Sequence, residues 1–419
     1  MTKREQEPRL ARRVGLVEAI AIALGAMIGA GVYVSMGQAA GITGGSLIVA
    51  VLLGAGIATL SGLSAAELGA NDPRTGGAYQ FGYRLVHPLV GFLAGWLFLA
   101  AGLAAGATLA LTFAAYVEPF FPGMLSRAFG VILVLGATTL NVLGVRLSAR
   151  INLALVVIGV SILVAFIVIA LPALTGSRLQ PFVIGGIGGL LQASALLFFA
   201  YAGFARPVTI AEEVQQPRVT LPRAVPIALG IATFLYLGIA FAALGSLGPE
   251  RMGAERAPLR AAMVAVSNPV GLLLISVGAV IATSTILVTD VWGLSRLAFA
   301  MARNGDLPSW FGQLSVPKRI PYHAVLAAGG LLFVLSSTLD LRPALETSSL
   351  ALLIYYGIMN LSALRLPRDR RLYPSVVPAA GLIATTLVAL SLPWQTLLTV
   401  LIVVILGLGY YTLQRRGRT

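Results

Sequence analysis

The sequence predicts an all-α integral membrane fold of twelve transmembrane helices, with spans 1 and 6 unwound near mid-membrane. Three observations predict it. First, 58% of the 419 residues are hydrophobic and 11% are charged, against about 25% charged in a soluble globular chain. Second, apolar runs of the roughly 20 residues needed to cross a bilayer recur along the whole chain. Third, the basic residues sort to one side of those runs, as cytoplasmic loops require.

Twelve apolar runs lie near 14–40, 44–68, 88–117, 125–145, 149–172, 188–212, 223–247, 270–301, 322–339, 345–366, 373–392 and 394–413. The short ninth run and the division between the last two carry the weakest signals. Two stretches read as surface elements: 69–87, which contains NDPRTGGAY, and 248–269, which carries Glu250, Arg251, Glu255, Arg256 and Arg260. With the N-terminus inside, 22 of the 29 Lys and Arg residues fall in cytoplasmic segments, from Lys3 and Arg4 in the first tail to Arg415, Arg416 and Arg418 in the last. Six fall outside (Arg127, Arg178, Arg251, Arg256, Arg260 and Arg342), and Arg206 lies within span 6. Losing one span would scramble this division. It places a multi-pass protein in the plasma (inner) membrane with both termini cytoplasmic, and it explains the net charge of +14 as topology, with some attraction to anionic membrane lipid.

The same pattern narrows function. A nucleic-acid partner is not expected, because the basic residues sit between apolar runs and form no stripe on a folded domain. The chain has no cysteine, which excludes disulfides, thiol nucleophiles and thiolate metal sites. His87 and His323 each lie near a proline at the edge of an apolar run and read as interfacial residues. A membrane-embedded enzyme would need a metal cluster, a nucleophile–base constellation or a phosphate loop, and the sequence carries none. A channel or a transport-dead sensor is a second alternative, but no appended soluble domain is present to relay a signal. The polar, basic first thirteen residues and the length of the run after them do not fit a cleavable signal peptide.

Span 1 holds GAMIGAG, with glycines at 25, 29 and 31. Each costs about 1 kcal/mol against alanine in a helix interior, so a break is expected there. Gly25 and Gly29 equally fit close helix packing through small residues. Span 6 favours the break: Gly203 is followed by Arg206 and Pro207, and proline removes a backbone donor and clashes with the preceding turn. Paired interruptions five spans apart point to a transporter built from inverted five-helix repeats. Backbone groups freed at bilayer depth survive only where they line a cavity or meet buried protein. Half-helix N-termini offer N–H groups to an anion and freed carbonyls receive an ammonium, which together suit a zwitterion.

Four segments in this order carry a family resemblance over nearly the whole chain: GAMIGAGVY, AELGANDPRTGGAY, FFAYAGFARPVTIAEEVQQPRVTLPRA and SRLAFAMARNGDLP. The chain resembles the amino acid–polyamine–organocation (APC) superfamily of permeases. The resemblance implies a five-plus-five inverted repeat of the leucine-transporter type with two extra C-terminal helices. The divisions are a tail over 1–13, a first repeat over 14–172, a second over 188–366, two added helices over 373–413 and a tail over 414–419. It implies transport of an amino acid substrate by alternating access. Carried over residue by residue, it places the substrate carboxylate on the amides around Gly29, Ala30 and Gly31. The amino group meets carbonyls near Ala26 and Met27, and near Phe199, Ala200 and Gly203. Phe199 matches an aromatic that caps the substrate in similar transporters, and it also reads as ordinary packing. The 248–269 segment matches an outer cover over the site.

The sequence departs from the family where many relatives carry an acid directly after the GF of span 6; here stand Ala205 and Arg206. An arginine at bilayer depth costs about 2.5–3.5 kcal/mol on insertion scales. Arg206 is therefore expected to pair with Glu18, Asp290 or free carbonyls, or else to snorkel to water. Glu18, Arg206 and Asp290 are the gating or coupling candidates. Glu212 and Glu213 fit an inner gate with Arg218 or Arg223 and fit solvent exposure equally. No cofactor is expected beyond a coupling ion, H+ or Na+. Thr283, Ser284 and Thr285 match paired hydroxyls of sodium-coupled relatives, with Ser284 and Thr285 as the candidate ligands. The lysine that some sodium-independent relatives place in span 5 is missing, its matching position being Ile158. Span-6 similarity leans toward sodium-independent transport. The small residues of span 3, GLAAGATLAL, lean toward neutral, apolar amino acids; an exchanger or a polyamine or cationic amino acid carrier is the rival.

The topology is open to a direct test, because single cysteines can be introduced into this cysteine-free chain. Cysteines in the N-terminal tail or in the 367–371 loop are expected to resist a membrane-impermeant thiol reagent added from outside. Labelling at either place overturns the assigned orientation.

Overall fold

The computed structural model describes residues 12–29, 31–73, 76–145, 149–315 and 319–416. Ala30, in the expected carboxylate site, lies outside the described residues, as do Lys3, Arg4, Arg9, Arg74, Arg146, Lys318 and Arg418 of the charge pattern. Among the described residues the chain is helical along most of its length. In order come α1 (Leu16–Met27), α2 (Met36–Thr43), α3 (Leu47–Asn71), α4 (Gly77–Phe81), α5 (Pro88–Val117), α6 (Ser126–Leu143), α7 (Ala149–Ala170), α8 (Gly186–Tyr201), α9 (Arg206–Thr209), α10 (Pro217–Leu247), α11 (Pro249–Ala254), α12 (Pro258–Ala265), α13 (Pro269–Arg303), α14 (Tyr322–Thr338), α15 (Leu341–Leu364), α16 (Val376–Leu390) and α17 (Trp394–Arg416). Among the described residues, nine helical runs are long and apolar enough to cross a membrane, and α1, α14 and α16 are shorter apolar helices.

Local chemistry explains where helices start and stop. Proline opens α5, α10, α11, α12 and α13 within the first two positions, where its missing N–H has no intrahelical partner to lose. The division between the last two apolar runs falls at Ser391–Pro393, ahead of α17. The 248–269 stretch forms two short helices, α11 and α12, each begun by a proline. Along the apolar helices, Ser and Thr hydroxyls turn back to a carbonyl one turn earlier, as Thr59, Thr108, Ser194 and Thr283 do, which hides their polarity from the hydrocarbon.

Both interrupted spans keep more helix than an open break. In span 1, α1 stops at Met27, and after Ile28 and Gly29 a π turn runs over Gly31–Ser35 into α2. In span 6, α8 tightens into a 3-10 turn over Ala202–Ala205 and restarts as α9. Pro207 sits at the second position of α9, where it costs no hydrogen bond. Span 6 is thus re-pitched where an unwound middle was expected.

The helices pack as a bundle around these two spans. α5 lies along α13 and α15, α3 along α10 and α8, and α1 along α10 and α7. At one end, Arg13 and Val14 donate backbone N–H groups to the Glu213 carbonyl, and Gln215 donates to Val14, so the entry to α1 is tied to the segment after α9. Near the same loops, Tyr79 and Tyr83 both donate to buried Asp306. Burial first, and then the Asp306 carboxylate, push both phenols above their ordinary value. The Glu67 carboxylate, at the end of α3, accepts the N–H groups of Leu372 and Tyr373 and so holds the loop before α16.

Candidate functional site

The stop of α1 at Met27 leaves last-turn carbonyls without intrahelical donors, and the restart at Gly31 leaves N–H groups in the same condition. Gly203, at the 3-10 turn of span 6, packs onto this stop: a Cβ there would strike Ala26 and Met27 backbone atoms. Gly31 packs on the Ala200 backbone in the same way. Glycine is required at both positions because two main chains approach each other directly.

Beside this contact lies a cavity of about 100 Å³. Ala26, Met27, Gly29 and Gly31 line it from span 1, and Phe199, Gly203 and Arg206 from span 6. Ile286 and Asp290 come from α13, Phe98, Ala101, Gly102, Ala105 and Leu109 from α5, and Leu352 and Tyr356 from α15. A second cavity, of about 410 Å³, shares Ala26, Arg206 and Ile286 with the first and runs past Thr285 and Trp292 to Val14 and Glu213. Arg206 therefore stands between a central chamber and a vestibule.

Three tyrosines satisfy the carbonyls that the interruptions release. The buried Tyr236 hydroxyl lies 2.8 Å from the Met27 carbonyl and 3.0 Å from that of Ala200. Tyr356 donates to the Ala202 carbonyl at 2.6 Å, and Tyr116 to the Tyr33 carbonyl at 3.0 Å. The Met27 carbonyl also receives the Gly29 N–H at 3.0 Å, while the single Tyr236 proton is shared between the Met27 and Ala200 carbonyls. The Met27 carbonyl and the Gly29 amide, both expected to meet the substrate, thus already have partners within the protein. Ala26 and Gly31 line the cavity on the two sides of the interruption. Ala200 stands behind the wall, its carbonyl held by Tyr236.

Arg206 meets one of the partners expected for it. Its Nη2 lies 3.3 Å from Asp290 Oδ1, with the side chains 27% and 10% exposed. Asp290 Oδ2 is buried without a hydrogen-bond partner. Glu18 is not part of this group: it is exposed and accepts the Gly15 N–H at its own helix start. Ser284 lines neither cavity, Thr285 lines the vestibule, and Thr283 spends its hydroxyl on Ala279. On α7, Ile158 is 45% exposed and lines the crevice beside span 1 together with Asn152, Val156 and Gly159, the last lying against Ile28. Glu213 lines the vestibule. Sequence reasoning missed Phe98, Tyr236, Leu352 and Tyr356. The one legible signal was a tyrosine within each of two apolar runs, whose polar tip needs a buried partner.

Comparison with known proteins agrees with this architecture. A family model described as amino acid permease matches residues 14–414. An uncharacterized transporter of Mycobacterium tuberculosis is 35% identical over 99% of this chain and 94% of its own length. The branched-chain amino acid permease BcaP of Bacillus subtilis is 25% identical over 98% of this chain and 94% of its own. A vacuolar cationic amino acid transporter of Arabidopsis thaliana is 28% identical over 91% of this chain and 67% of its own.

Two outcomes are expected from substitution. Gly29→Val should yield folded protein with at least about tenfold weaker substrate binding, about 1.4 kcal/mol, because its Cβ meets only the mobile end of Ile286 at the cavity wall. Gly31→Val, which meets Ala200 backbone, should fail to fold; unchanged affinity in folded Gly29→Val removes Gly29 from the site. Tyr236→Phe keeps the ring contact with Tyr201 and removes only the hydroxyl. It should cost about 1–3 kcal/mol, read as a lowered thermal midpoint in detergent. An unchanged midpoint means that other donors reach these carbonyls.

Proposed function

This chain belongs to the amino acid permease family of the APC superfamily, and from that premise we propose that it is a secondary active carrier of neutral, apolar amino acids, working by alternating access in the plasma membrane. The observation that carries this reading is the cavity where α1 ends against Gly203. It offers the two ends of a zwitterion complementary backbone groups, the Ala26 carbonyl for the ammonium and the Gly31 N–H for the carboxylate. Phe199 closes over that space, and the wall from Phe98, Ala101, Leu109 and Leu352 is apolar, which supports a neutral, apolar side chain.

In this reading the membrane is crossed twelve times, with both termini cytoplasmic. The nine long runs are completed by span 1, entered through α1, and by α14 and α16. Packing supports the division into inverted repeats over 14–172 and 188–366. Span 1 packs on α10, the seventh span, as span 6 packs on α3, the second; the second and seventh spans pack together, as do the third and eighth. These are the pairings that exchange of two five-helix units requires. The vestibule toward Val14 and Glu213 is then the cytoplasmic approach, and Arg206 is its gate residue.

Sodium-independent transport is supported by the neighbourhood of the candidate hydroxyls. Thr283 is bound to its own helix, and the crevice of about 30 Å³ between Gly25, Gly159 and Thr285 is walled mainly by aliphatic side chains, with Asn152 and Thr285 supplying its side-chain oxygens. A sodium ion needs several oxygen ligands, and two side chains supply few. The printed names of relatives span branched-chain and cationic substrates, so the rival reading is a cationic amino acid or polyamine carrier, or an amino acid exchanger.

The test is uptake into liposomes containing the purified protein, with a panel of labelled amino acids, at fixed pH, with choline replacing sodium. Uptake of neutral, apolar amino acids is expected to persist in choline. Loss in choline, recovery in sodium and loss again in Ser284→Ala would overturn sodium independence. Uptake confined to lysine, arginine or polyamines would overturn the substrate class.

A further inference from the structure

The Arg206–Asp290 pair has a consequence for selectivity. These are the only two charged residues among the described residues that line the central cavity. Their contact is single-pronged, Nη2 to Oδ1 at 3.3 Å, and Oδ2 has no donor. The guanidinium lies across Gly293, one turn beyond Asp290, where an added Cβ would stand 3.2 Å from Nη1. A side chain at 293 would crowd the guanidinium, which lies against the bare helix surface there. The pair is thus built into the wall, with Arg206 the more exposed partner, at 27% against 10%.

We infer that this pair is a charge filter: Arg206 masks Asp290 and so excludes amino acids with cationic side chains from the cavity. The inference rests on the reading that this cavity holds the amino acid. A cationic side chain entering this cavity meets the more exposed guanidinium, and the repulsion from Arg206 offsets the attraction of Asp290, so the wall gives it no net electrostatic gain. A neutral substrate meets a wall of zero net charge and loses nothing. Without the guanidinium, the same wall presents a carboxylate with two open oxygens and no counter-ion, which is a receptor for a side-chain ammonium. Charge at one position would then separate neutral from cationic substrates.

The experiment is competition binding to purified protein against a labelled neutral amino acid, with L-alanine and L-ornithine as competitors, in wild type, R206Q and the double variant R206Q/D290N. The wild type is expected to prefer alanine over ornithine. R206Q should shift the ornithine-to-alanine affinity ratio by at least tenfold toward ornithine, and the double variant, with a neutral isosteric wall, should lose that gain. Should R206Q fail to fold, D290N carries the mirror-image test: its wall of net +1 should shift the ratio of L-aspartate to alanine by at least tenfold toward aspartate. A folded R206Q with an unshifted ratio or with no binding, a shift that survives in the double variant, or a folded D290N that gains no aspartate overturns the filter. Wild type that binds none of a broad amino acid panel overturns the transport reading instead.

Discussion

The rest of the structure depends on one constraint: a backbone polar group freed from its helix inside an apolar bundle must find a partner. An unmet buried carbonyl costs about 1–3 kcal/mol, so two interrupted helices would be a heavy burden without compensation. Tyrosines from neighbouring helices supply it. Tyr236 from α10 bridges the Met27 and Ala200 carbonyls, one from each interrupted span, and Tyr356 and Tyr116 serve Ala202 and Tyr33. A tyrosine suits this task because its ring packs with the apolar core while its hydroxyl ends in a single directed donor.

This division of labour ties stability to binding. Gly203 lets span 6 rest on the end of α1, and Gly31 lets the restart of span 1 rest on Ala200. The same contacts that seal the fold define one side of the cavity. Span 6 accommodates Arg206 and Pro207 by tightening to a 3-10 turn and restarting as α9. Phe199, Gly203 and Arg206, spaced i, i+4 and i+7, share one face of span 6 and line the same cavity.

Charge in the bundle follows a related economy. An arginine away from water is expensive, and a single acidic partner offsets much of that cost. The partner is Asp290 on α13, and the pair leaves the cavity wall neutral without making it apolar. Other buried acids are held by donors of their own: Glu67 by two backbone N–H groups, Asp306 by two tyrosines, and Glu346 by Arg342 and Thr396. These three brace loops and helix packing, whereas the Arg206–Asp290 pair fronts a cavity.

Much of this was legible in the sequence, for physical reasons. Hydrophobic run length and charge asymmetry are one-dimensional signals, and they suffice for a helical membrane protein and for the rough place of each apolar run. Glycine and proline act on their own backbone, so the interruptions near Gly29 and Gly203 were readable, as was the need for Arg206 to have a partner. The choice among Glu18, Asp290 and carbonyls was not readable, because it depends on which helices meet: Glu18 turns to its own helix start, while Asp290 lies 84 positions from Arg206 in the chain yet across from it in the bundle. The partners of the Met27 carbonyl, the packing of Gly159 on Ile28 of span 1, and the roles of Tyr236 and Tyr356 belong to the same class. Each is a question of which donor reaches which acceptor between distant spans, and only the packing of the helices answers it.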